Sequence, residues 1–173
     1  GYTKEKQISM KIKKIVNLMM GLSFSLCILA ENDWRLVWSD EFETDGPLDS
    51  SVWNFEQGYA RNEEAQWYQQ DNAICRNGYL IIEARKEKDR KNPLYVAGSK
   101  DWRKKREFVE YTSSSVTTAG KKEFLYGRFE IKARIPVAKG AWPAIWALGR
   151  DMEWPSCGEI DIMEYLSLIH ISE

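Results

Sequence analysis

Histidine is almost absent from this sequence: among 173 residues there is one, His170, close to the end of the chain. Ser-His-Asp triads, Cys-His pairs and histidine-based zinc sites all need a histidine inside the fold. None of them can be built from the residues before His170. The chain also lacks a glycine-rich phosphate loop of the Walker or dinucleotide-binding kind. Carboxylates are therefore the main candidates for chemistry.

A strong charge of one sign is also lacking, because the net charge is −1. Charge is dense only in two stretches, 86–90 and 100–106, and acidic residues interleave with the basic ones there. That mixture favours a solvated surface loop over a basic patch, so we expect no nucleic-acid partner. The hydrophobic content of 43% is sufficient for one globular core.

The first part of the chain has the pattern of an export signal. Lysines follow Met10, an apolar stretch of signal length runs from residue 15, and Ala30 offers a small residue for cleavage. We therefore predict upstream residues at 1–9, a signal peptide at 10–30, and an exported protein that meets the membrane only through that signal. The alternative is a cytoplasmic extension before a membrane anchor. Nothing in the sequence indicates the oligomeric state.

Export would leave two of the cysteines, Cys75 and Cys157, in the mature chain. An oxidising compartment permits a disulfide between them. Cysteines this far apart in sequence serve equally well as small buried hydrophobic residues, which is the interpretation we favour. The disulfide state stays open.

Short alternating segments predict strands, and no helical pattern is sustained. One strand is expected over Gly78–Arg85 after a turn at Asn77-Gly78, and another over Phe129–Ile135, which Pro136 ends. The side chains expected to share a face are Leu80, Ile82 and Ala84 in the first strand, and the inward-facing Phe129, Ile131, Ala133 and Ile135 in the second. Such strands with turns between them predict an all-β sandwich.

Three carboxylates, Glu159, Asp161 and Glu164, interrupt a short apolar run that reads as a strand. Side chains alternate along a strand, so Glu159 and Asp161 share a face, whereas Glu164 would fall on the other one. A β-bulge at Ile162 or Met163 would return Glu164 to the first face. The simpler alternative is a solvated strand face without chemistry. Acids gathered on one face suit glycoside hydrolysis, which uses one ionised and one protonated carboxyl group.

The segment Glu-Ile-Asp-Ile-Met-Glu at 159–164 resembles the catalytic signature of glycoside hydrolase family 16, in its bulged, laminarinase-like form. Three upstream segments resemble the same family in the right order. They are Trp38–Phe42, Tyr126–Glu130 and Trp142–Leu148. The resemblance covers 34–165 and implies a jelly-roll sandwich of two curved antiparallel, concanavalin-like sheets, whose concave sheet forms the glycan cleft.

Sandwich domains of this type commonly run to about 200–250 residues. We therefore expect residues 31–165 to be the N-terminal part of a family 16 catalytic domain, incomplete at its C-terminus. Residues 166–173 do not resemble the family's continuation and are interpreted as a non-native tail.

The resemblance also implies roles for individual residues. Glu159 would be the nucleophile, Glu164 the general acid and base, and Asp161 would hydrogen-bond Glu159 between them, giving retention of configuration. Eight tryptophans supply flat faces on which sugars can stack. Trp142 and Trp146 lie four apart, which on a strand puts both on one face, and the resemblance places them at the cleft. Core packing is the expectation for Trp38, Trp53 and Trp102.

Asn62 lies in a segment similar to the one through which the family contacts sugar, so it is a further candidate. Ser115, by contrast, stands where laminarinase-like members often have an arginine, which weakens a strict β-1,3-glucan assignment. No cofactor is required by this chemistry and no metal ligands are predicted. Some relatives carry a structural calcium, but its ligands cannot be located here.

The sequence as a whole predicts an exported retaining endo-β-glucanase that hydrolyses β-1,3 or mixed β-1,3/1,4-glucan. Two alternatives remain. One is a non-catalytic glycan-binding protein on the same scaffold, and the other is a family member acting on galactans such as agar or carrageenan.

Overall fold

The computed structural model describes residues 34–165. The chain divides into two units at Ser39–Asp40, and residues 34–39 of the first unit form no helix or strand. The predicted signal peptide at 10–30 and the tail at 166–173 lie outside the described residues. Within the described part of the chain, no helix has the length and hydropathy needed to cross a membrane.

Short strands make up almost all regular structure of the second unit, which confirms the all-β class. The strands are β1 (Asn54–Phe55), β2 (Gln66–Tyr68), β3 (Ala73–Arg76), β4 (Tyr79–Ile82), β5 (Arg85–Lys86), β6 (Tyr111–Ser113), β7 (Val116–Thr117), β8 (Ala144–Leu148) and β9 (Glu159–Glu164). A 3-10 turn at Gln70–Asn72 precedes β3. The strands pair as β1–β7, β2–β6–β5, β3–β4 and β8–β9.

The β3–β4 hairpin confirms the predicted turn at Asn77-Gly78. Both residues have positive φ, 54° and 74°, which the two-residue hairpin turn requires and which asparagine and glycine tolerate. The strand predicted over Gly78–Arg85 is wrong in its extent, because β4 ends at Ile82 and β5 pairs with β6 instead of β3. Since the chain changes partner there, Ile82 and Ala84 are exposed and do not continue the buried face of Leu80.

One strand pair departs from the expected antiparallel arrangement, because β2 and β6 run parallel. Parallel neighbours need a long crossover connection. Here that connection contains β3, β4 and β5, and β5 returns to pair antiparallel with β6. The effect is to bring β2 beside β6, whose residues follow more than forty positions later in the chain.

The buried core of this unit centres on Leu48, Ala73 and Cys75. Partly buried side chains pack around it: Phe42, Trp53, Phe55, Leu80 and Val116. Cys75 is thus a small buried hydrophobic residue, as predicted, and its thiol is free. Cys157 is also free but only half-buried. The core-packing role expected for Trp53 is confirmed, and its indole N–H also donates to Asp40 at 2.8 Å.

A second aromatic group surrounds the buried Tyr59, whose ring centre lies 5.4 Å from that of Trp67 and 5.8 Å from that of Trp102. Trp102 therefore packs as predicted. The charged loop that carries it, 100–106, is partly solvated, with three residues exposed and four partly buried, and two of its arginines reach inward. Arg103 donates to the carbonyls of Tyr59 and Ala60, and Arg106 donates to those of Glu63 and Glu64. These bonds attach the loop to the segment before β2.

The strand predicted over Phe129–Ile135 does not form in the structure, where this segment has no strand assignment. Its period-two pattern is nevertheless meaningful. The four alternating apolar side chains line a cavity of about 330 Å³ together with Ile145, Ile162 and Met163 of β8 and β9. Phe129 and Ile131 remain about half exposed. No described strand pairs with the segment, so its apolar side chains line the cavity without a hydrogen-bonded ladder.

Asn72 links the 3-10 turn to the neighbouring strands from a buried position. Its amide nitrogen donates to the Glu83 carbonyl at 2.8 Å and to Thr112 Oγ1 at 3.1 Å, and its oxygen accepts from Gln69 at 2.7 Å. All of its polar atoms are therefore satisfied by other parts of this unit, as burial requires.

Replacing Asn72 by alanine should lower the free energy of unfolding by about 1–3 kcal/mol, because the Glu83 carbonyl and the Thr112 hydroxyl lose a buried partner. Urea denaturation measures the difference. Gln57→Ala, at an exposed position before β2, is the matched control and should change stability little. Equal effects of the two substitutions would contradict the role assigned to Asn72.

Candidate active site

The ladder between β8 and β9 contains one extra residue on β9. The paired residues are Ala144–Glu164, Ile145–Met163, Trp146–Asp161, Ala147–Ile160 and Leu148–Glu159. Ile162 is the residue that the pairing skips, and the register shifts opposite the Ile145–Trp146 step. This is the β-bulge that the sequence predicted, at the first of its two predicted positions.

The bulge determines which side chains share a face. Residues directly opposite in an antiparallel pair lie on the same side of the sheet. Because Ala144, Trp146 and Leu148 alternate along β8, they share one face, and so do the acids opposite them. Glu159, Asp161 and Glu164 therefore form an exposed row along one side of β9. If β9 were a regular strand with Ile162 paired, strict alternation would put Glu164 on the opposite side.

Indole groups hold both glutamates of the row. Trp142 donates its ring N–H to Glu164 Oε1 at 3.0 Å, and Trp154 donates its ring N–H to Glu159 Oε2 at 2.8 Å. Hydrogen bonds to a charged acceptor are the stronger ones in proteins. Asp161 was expected to hold Glu159; in the structure the hydrogen bond to Glu159 comes from Trp154.

Trp142 and Trp146 were predicted to lie on the same strand face as sugar platforms. Trp142 precedes β8, which begins at Ala144, so strand alternation does not apply to it. Trp146 does lie on the acid-bearing face, opposite Asp161. Both rings are partly exposed, at 44% and 36%, so each retains accessible surface beside the acids. Contact with sugar stays a prediction for both.

Trp154 was missed by the sequence reasoning. It lies in the connection between β8 and β9, where no periodicity indicates where a side chain points. The available signal was its position five residues before Glu159, on the strand connection closest to the acid row. Trp154 is 65% exposed, so its ring edge meets both the carboxylate and solvent.

Arg61 lies over the Trp146 ring. Its guanidinium carbon is 5.2 Å from the centre of that ring and 5.8 Å from the centre of the Tyr68 ring, both within cation–π range. Arg61 Nη2 forms an ion pair with Glu56 Oε2. Burial acts to lower the pKa of Arg61, but the hydrogen bond and charge of Glu56 outweigh it and raise that pKa. Arg61 is therefore a cation held against the tryptophan.

Glu56 is itself held by Ser115, whose hydroxyl donates to the same carboxylate oxygen, Oε2. Ser115 is the residue that stands where similar proteins often have an arginine. In this chain an arginine, Arg61, also binds Oε2 of Glu56, the oxygen that accepts from Ser115. Glu56 lies beside Ser115 because β1 and β7 pair antiparallel and the Glu56 N–H donates to the Ser115 carbonyl at 3.1 Å. This long-range pairing has no local sequence signal, and neither does the position of Arg61.

Tyr68, whose ring Arg61 contacts, also belongs to this cluster. Its hydroxyl donates to Glu64 at 3.0 Å and accepts from Gln66 at 2.8 Å, and Gln66 also donates to Glu64 at 2.7 Å. Burial raises the pKa of Tyr68 to about 12. The phenol therefore stays protonated near neutral pH and acts as a hydrogen-bond donor.

Asn62 is exposed and adopts a left-handed backbone with φ of 53°. Its amide nitrogen lies 3.4 Å from Glu64 Oε1, a long contact. The structure thus places Asn62 beside the Arg61 cluster, and its contact with sugar stays a prediction. Within residues 34–165 no group of three or more histidine, cysteine or carboxylate side chains is arranged to hold a metal ion.

The connection between β8 and β9 depends on a close backbone approach at Gly149. Its N–H donates to the Gly158 carbonyl at 3.3 Å, and a Cβ at this position would lie 2.0 Å from the Cys157 carbonyl oxygen. No carbon atom can occupy that place unless the backbone moves. Glycine is therefore required to bring Trp154 and Glu159 back towards β8.

Gly149→Ala should destabilise the protein by about 1–3 kcal/mol, because the added methyl group forces the two backbone segments apart. Thermal unfolding measures the effect. Ser156→Ala, in the same connection and exposed, is the control and should behave as the parent protein. A Gly149→Ala variant with unchanged stability would contradict the requirement for glycine, because the connection would then accommodate a methyl group at this position.

Known proteins are similar to this chain in sequence and in structure. The Rhodothermus marinus protein named "Beta-glucanase" is 37% identical over 180 residues, which cover 91% of this chain and 57% of that protein. The solved laminarinase of Rhodothermus marinus has a TM-score of 0.61 and 40% identity, over 78% of this chain and 51% of its own.

A further solved structure comes from work on endo-acting O-glycanases with which members of the human gut microbiota initiate mucin breakdown. It has a TM-score of 0.69 and 41% identity, over 79% of this chain and 50% of its own. The chain thus spans about half the length of these relatives. The likeness to solved family 16 structures confirms the predicted jelly-roll sandwich.

A family model described as "XgeA-like, catalytic GH16 domain" matches residues 53–171. The match includes β9 with its bulge, the acid row and both segments that hold the acids. The chain therefore belongs to glycoside hydrolase family 16.

Proposed function

We propose that the protein is a retaining endo-β-glucanase that hydrolyses β-1,3 or mixed β-1,3/1,4-glucan. The observation that carries the proposal is the bulge at Ile162, which puts Glu159 and Glu164 on one face with Asp161 between them. This reaction requires two carboxyl groups that flank the scissile bond, and both glutamates must therefore lie on one face. The β-glucanase and laminarinase relatives support glucan as the substrate.

In the proposed mechanism Glu159 attacks the anomeric carbon while Glu164 protonates the departing glycosidic oxygen. Water, activated by the ionised Glu164, then attacks the glycosyl-enzyme and releases the sugar with its original configuration. Retention requires the two carboxyl groups to approach to about 5–5.5 Å. We propose that Asp161, which lies on the same face between them, orients Glu159 during this approach.

The hydrogen bonds of the two glutamates fit this division of work. Trp154 engages one oxygen of Glu159, and Trp142 engages one oxygen of Glu164. In the described residues the other oxygen of each has no hydrogen-bond partner. One oxygen of Glu159 is thus available for attack, and one oxygen of Glu164 is available to carry the proton. The indoles fix the rotation of each carboxyl group at little cost in conformational entropy.

Sugar binding would use the same face. We propose that Trp146 and Trp142 stack against sugar rings of the glucan and that Asn62 contacts a sugar hydroxyl group from the loop before β2. The chemistry needs no metal or cofactor in any of these steps. We also propose that the protein is exported through the segment 10–30.

Glu159→Gln and Glu164→Gln should separate the two roles in the full-length protein. With laminarin, Glu164→Gln should lower kcat/KM about 10²–10⁴-fold, the usual contribution of a general acid and base. With an aryl glucoside whose leaving group needs no protonation, Glu164→Gln should lose far less in the first step. Glu159→Gln should lose activity on both substrates because the nucleophile is needed in each case.

The control for this experiment is Glu153→Gln, an exposed glutamate in the β8–β9 connection. NMR of the first-formed product should show the β-anomer. The proposal fails if a folded parent protein releases no sugar from laminarin or mixed-linkage glucan yet still binds them, because the chain is then a glycan-binding protein. An α-anomer as first product would contradict the nucleophilic role of Glu159.

Trp154→Phe keeps the ring and removes only the N–H that holds Glu159. Loss of a hydrogen bond to a charged group costs about 1.5–3 kcal/mol, so kcat/KM should fall about 10–100-fold. Trp34→Phe, also exposed, is the control. Steady-state kinetics on laminarin measures both. An unchanged kcat/KM for Trp154→Phe would mean that the indole does not orient the nucleophile.

A second candidate is an endo-acting glycanase for a glycan other than glucan, such as a galactan. The O-glycanase relative favours it, as does Ser115 in the place of an arginine. A polysaccharide panel of laminarin, mixed-linkage glucan, agar, carrageenan and mucin distinguishes the two candidates. Preferential release of reducing ends from any of the last three would replace the glucan proposal.

A further inference from the structure

The proposed mechanism assigns no role to the Arg61 cluster, which consists of Arg61, Glu56, Ser115 and Tyr68. Arg61 nevertheless lies on the acid-bearing face of β8. Arg61 contacts Trp146, and Trp146 is paired with Asp161 at the middle of the acid row. Because Trp146 points to the face that carries the acids, the guanidinium above its ring also stands on that face. A substrate that crosses the acid row beside Trp146 would meet this group.

The guanidinium retains unused donors. Only Nη2 makes a hydrogen bond in the described residues, to Glu56. Nε and Nη1 have no hydrogen-bond partner within 34–165, and the side chain is 30% exposed. An arginine presents five N–H groups in a rigid fork, so pairing one edge with Glu56 leaves the rest directed elsewhere. The donors are thus oriented before any ligand arrives.

Three contacts hold Arg61 in this position. Glu56 pairs with one end of the guanidinium, Ser115 holds Glu56, and the rings of Trp146 and Tyr68 lie within cation–π range. A long side chain fixed in this way loses little conformational entropy on binding, which favours specific recognition.

The surrounding charges indicate what Arg61 can recognise. Glu56 neutralises its charge directly, Glu64 lies close enough to act on it electrostatically, and the acid row adds negative charge on the same face. An anionic substituent such as a sulfate would be repelled by these carboxylates. A sugar hydroxyl group accepts a hydrogen bond without bringing charge.

We propose that Arg61 is a specificity-determining residue, which donates hydrogen bonds from Nε and Nη1 to hydroxyl oxygens of a neutral sugar unit bound beside Trp146. The inference rests on the proposed hydrolase function and names the group that selects the sugar on this side of the acids. Arg61 also covers part of the Trp146 ring, so a sugar can stack only on the part of the ring that remains exposed.

The test compares Arg61→Gln, Arg61→Lys and the control Arg76→Gln in the full-length protein. Glutamine can still donate to Glu56 but lacks the guanidinium fork. Lysine keeps the charge and the pairing with Glu56, but its single ammonium group cannot replace the planar set of donors. Arg76 is exposed at the end of β3, away from the cluster. Thermal unfolding of each variant checks that the fold is intact.

On laminaripentaose, both Arg61 variants should raise KM about 10-fold with kcat changed less than about 3-fold, the pattern expected when a binding contact is lost. Arg76→Gln should match the parent protein. In a Glu159→Gln background, calorimetry should show an affinity for laminaripentaose about 10-fold weaker for the Arg61 variants, a loss of about 1.4 kcal/mol. A purely structural role would lower the unfolding temperature without this split between KM and kcat.

Several outcomes would overturn the inference. If the parent protein hydrolyses glucan and Arg61→Gln behaves as Arg76→Gln does, the hydrolase function stands and the role of Arg61 is wrong. Parent-like kinetics of Arg61→Lys would show that charge alone matters. A larger loss on κ-carrageenan, a sulfated galactan, than on laminaripentaose would show that Arg61 serves an anion.

The binding measurement separates failure of the inference from failure of the proposed function. If the parent protein hydrolyses nothing but binds laminaripentaose, the hydrolase proposal fails and the affinities of the Arg61 variants still decide the inference. If the folded protein neither cleaves nor binds the oligosaccharide, both are wrong.

Discussion

A single unpaired residue, Ile162, controls how this chain arranges its acids. An extra residue in a strand interrupts the ladder, and the strand bends. Here the interruption separates two functions of β9. On one side Glu159, Asp161 and Glu164 stand together, and on the other Ile162 and Met163 close an apolar cavity against Ile145. A regular strand could not satisfy both faces, because correct alternation for the first two acids would bury the third.

Tryptophan serves this site through its polar edge, in addition to the sugar stacking that we propose for its flat face. Sugar stacking explains why a glycan-binding cleft is rich in indole rings, but Trp142 and Trp154 also use their N–H groups to hold carboxylates. An indole is a donor only, so it cannot compete with a glutamate for a proton. It can therefore orient an acid whose protonation state changes during a reaction.

Features that depend on residues close together in the sequence could be predicted, whereas features that depend on distant residues could not. The Asn77-Gly78 turn and the bulge depend on neighbours in the chain, and both were predictable from two-residue periodicity and turn chemistry. The strand predicted at 129–135 does not form, because a strand needs a hydrogen-bonded partner and periodicity describes only which side chains share a face. The roles of Trp154 and Arg61 depend on connections whose paths carry no periodic signal.

The Arg61 cluster shows why a missing residue in a family pattern has to be judged in three dimensions. In the sequence alone, Ser115 means that an arginine expected at this position is missing. In the fold, a small hydroxyl at Ser115 leaves Glu56 free to accept a second partner, and Arg61 supplies it from a segment more than fifty positions earlier. A large cation at position 115 would compete with Arg61 for the same carboxylate. The serine and the arginine are therefore two parts of one arrangement around Glu56, and the departure at Ser115 is understood only together with Arg61.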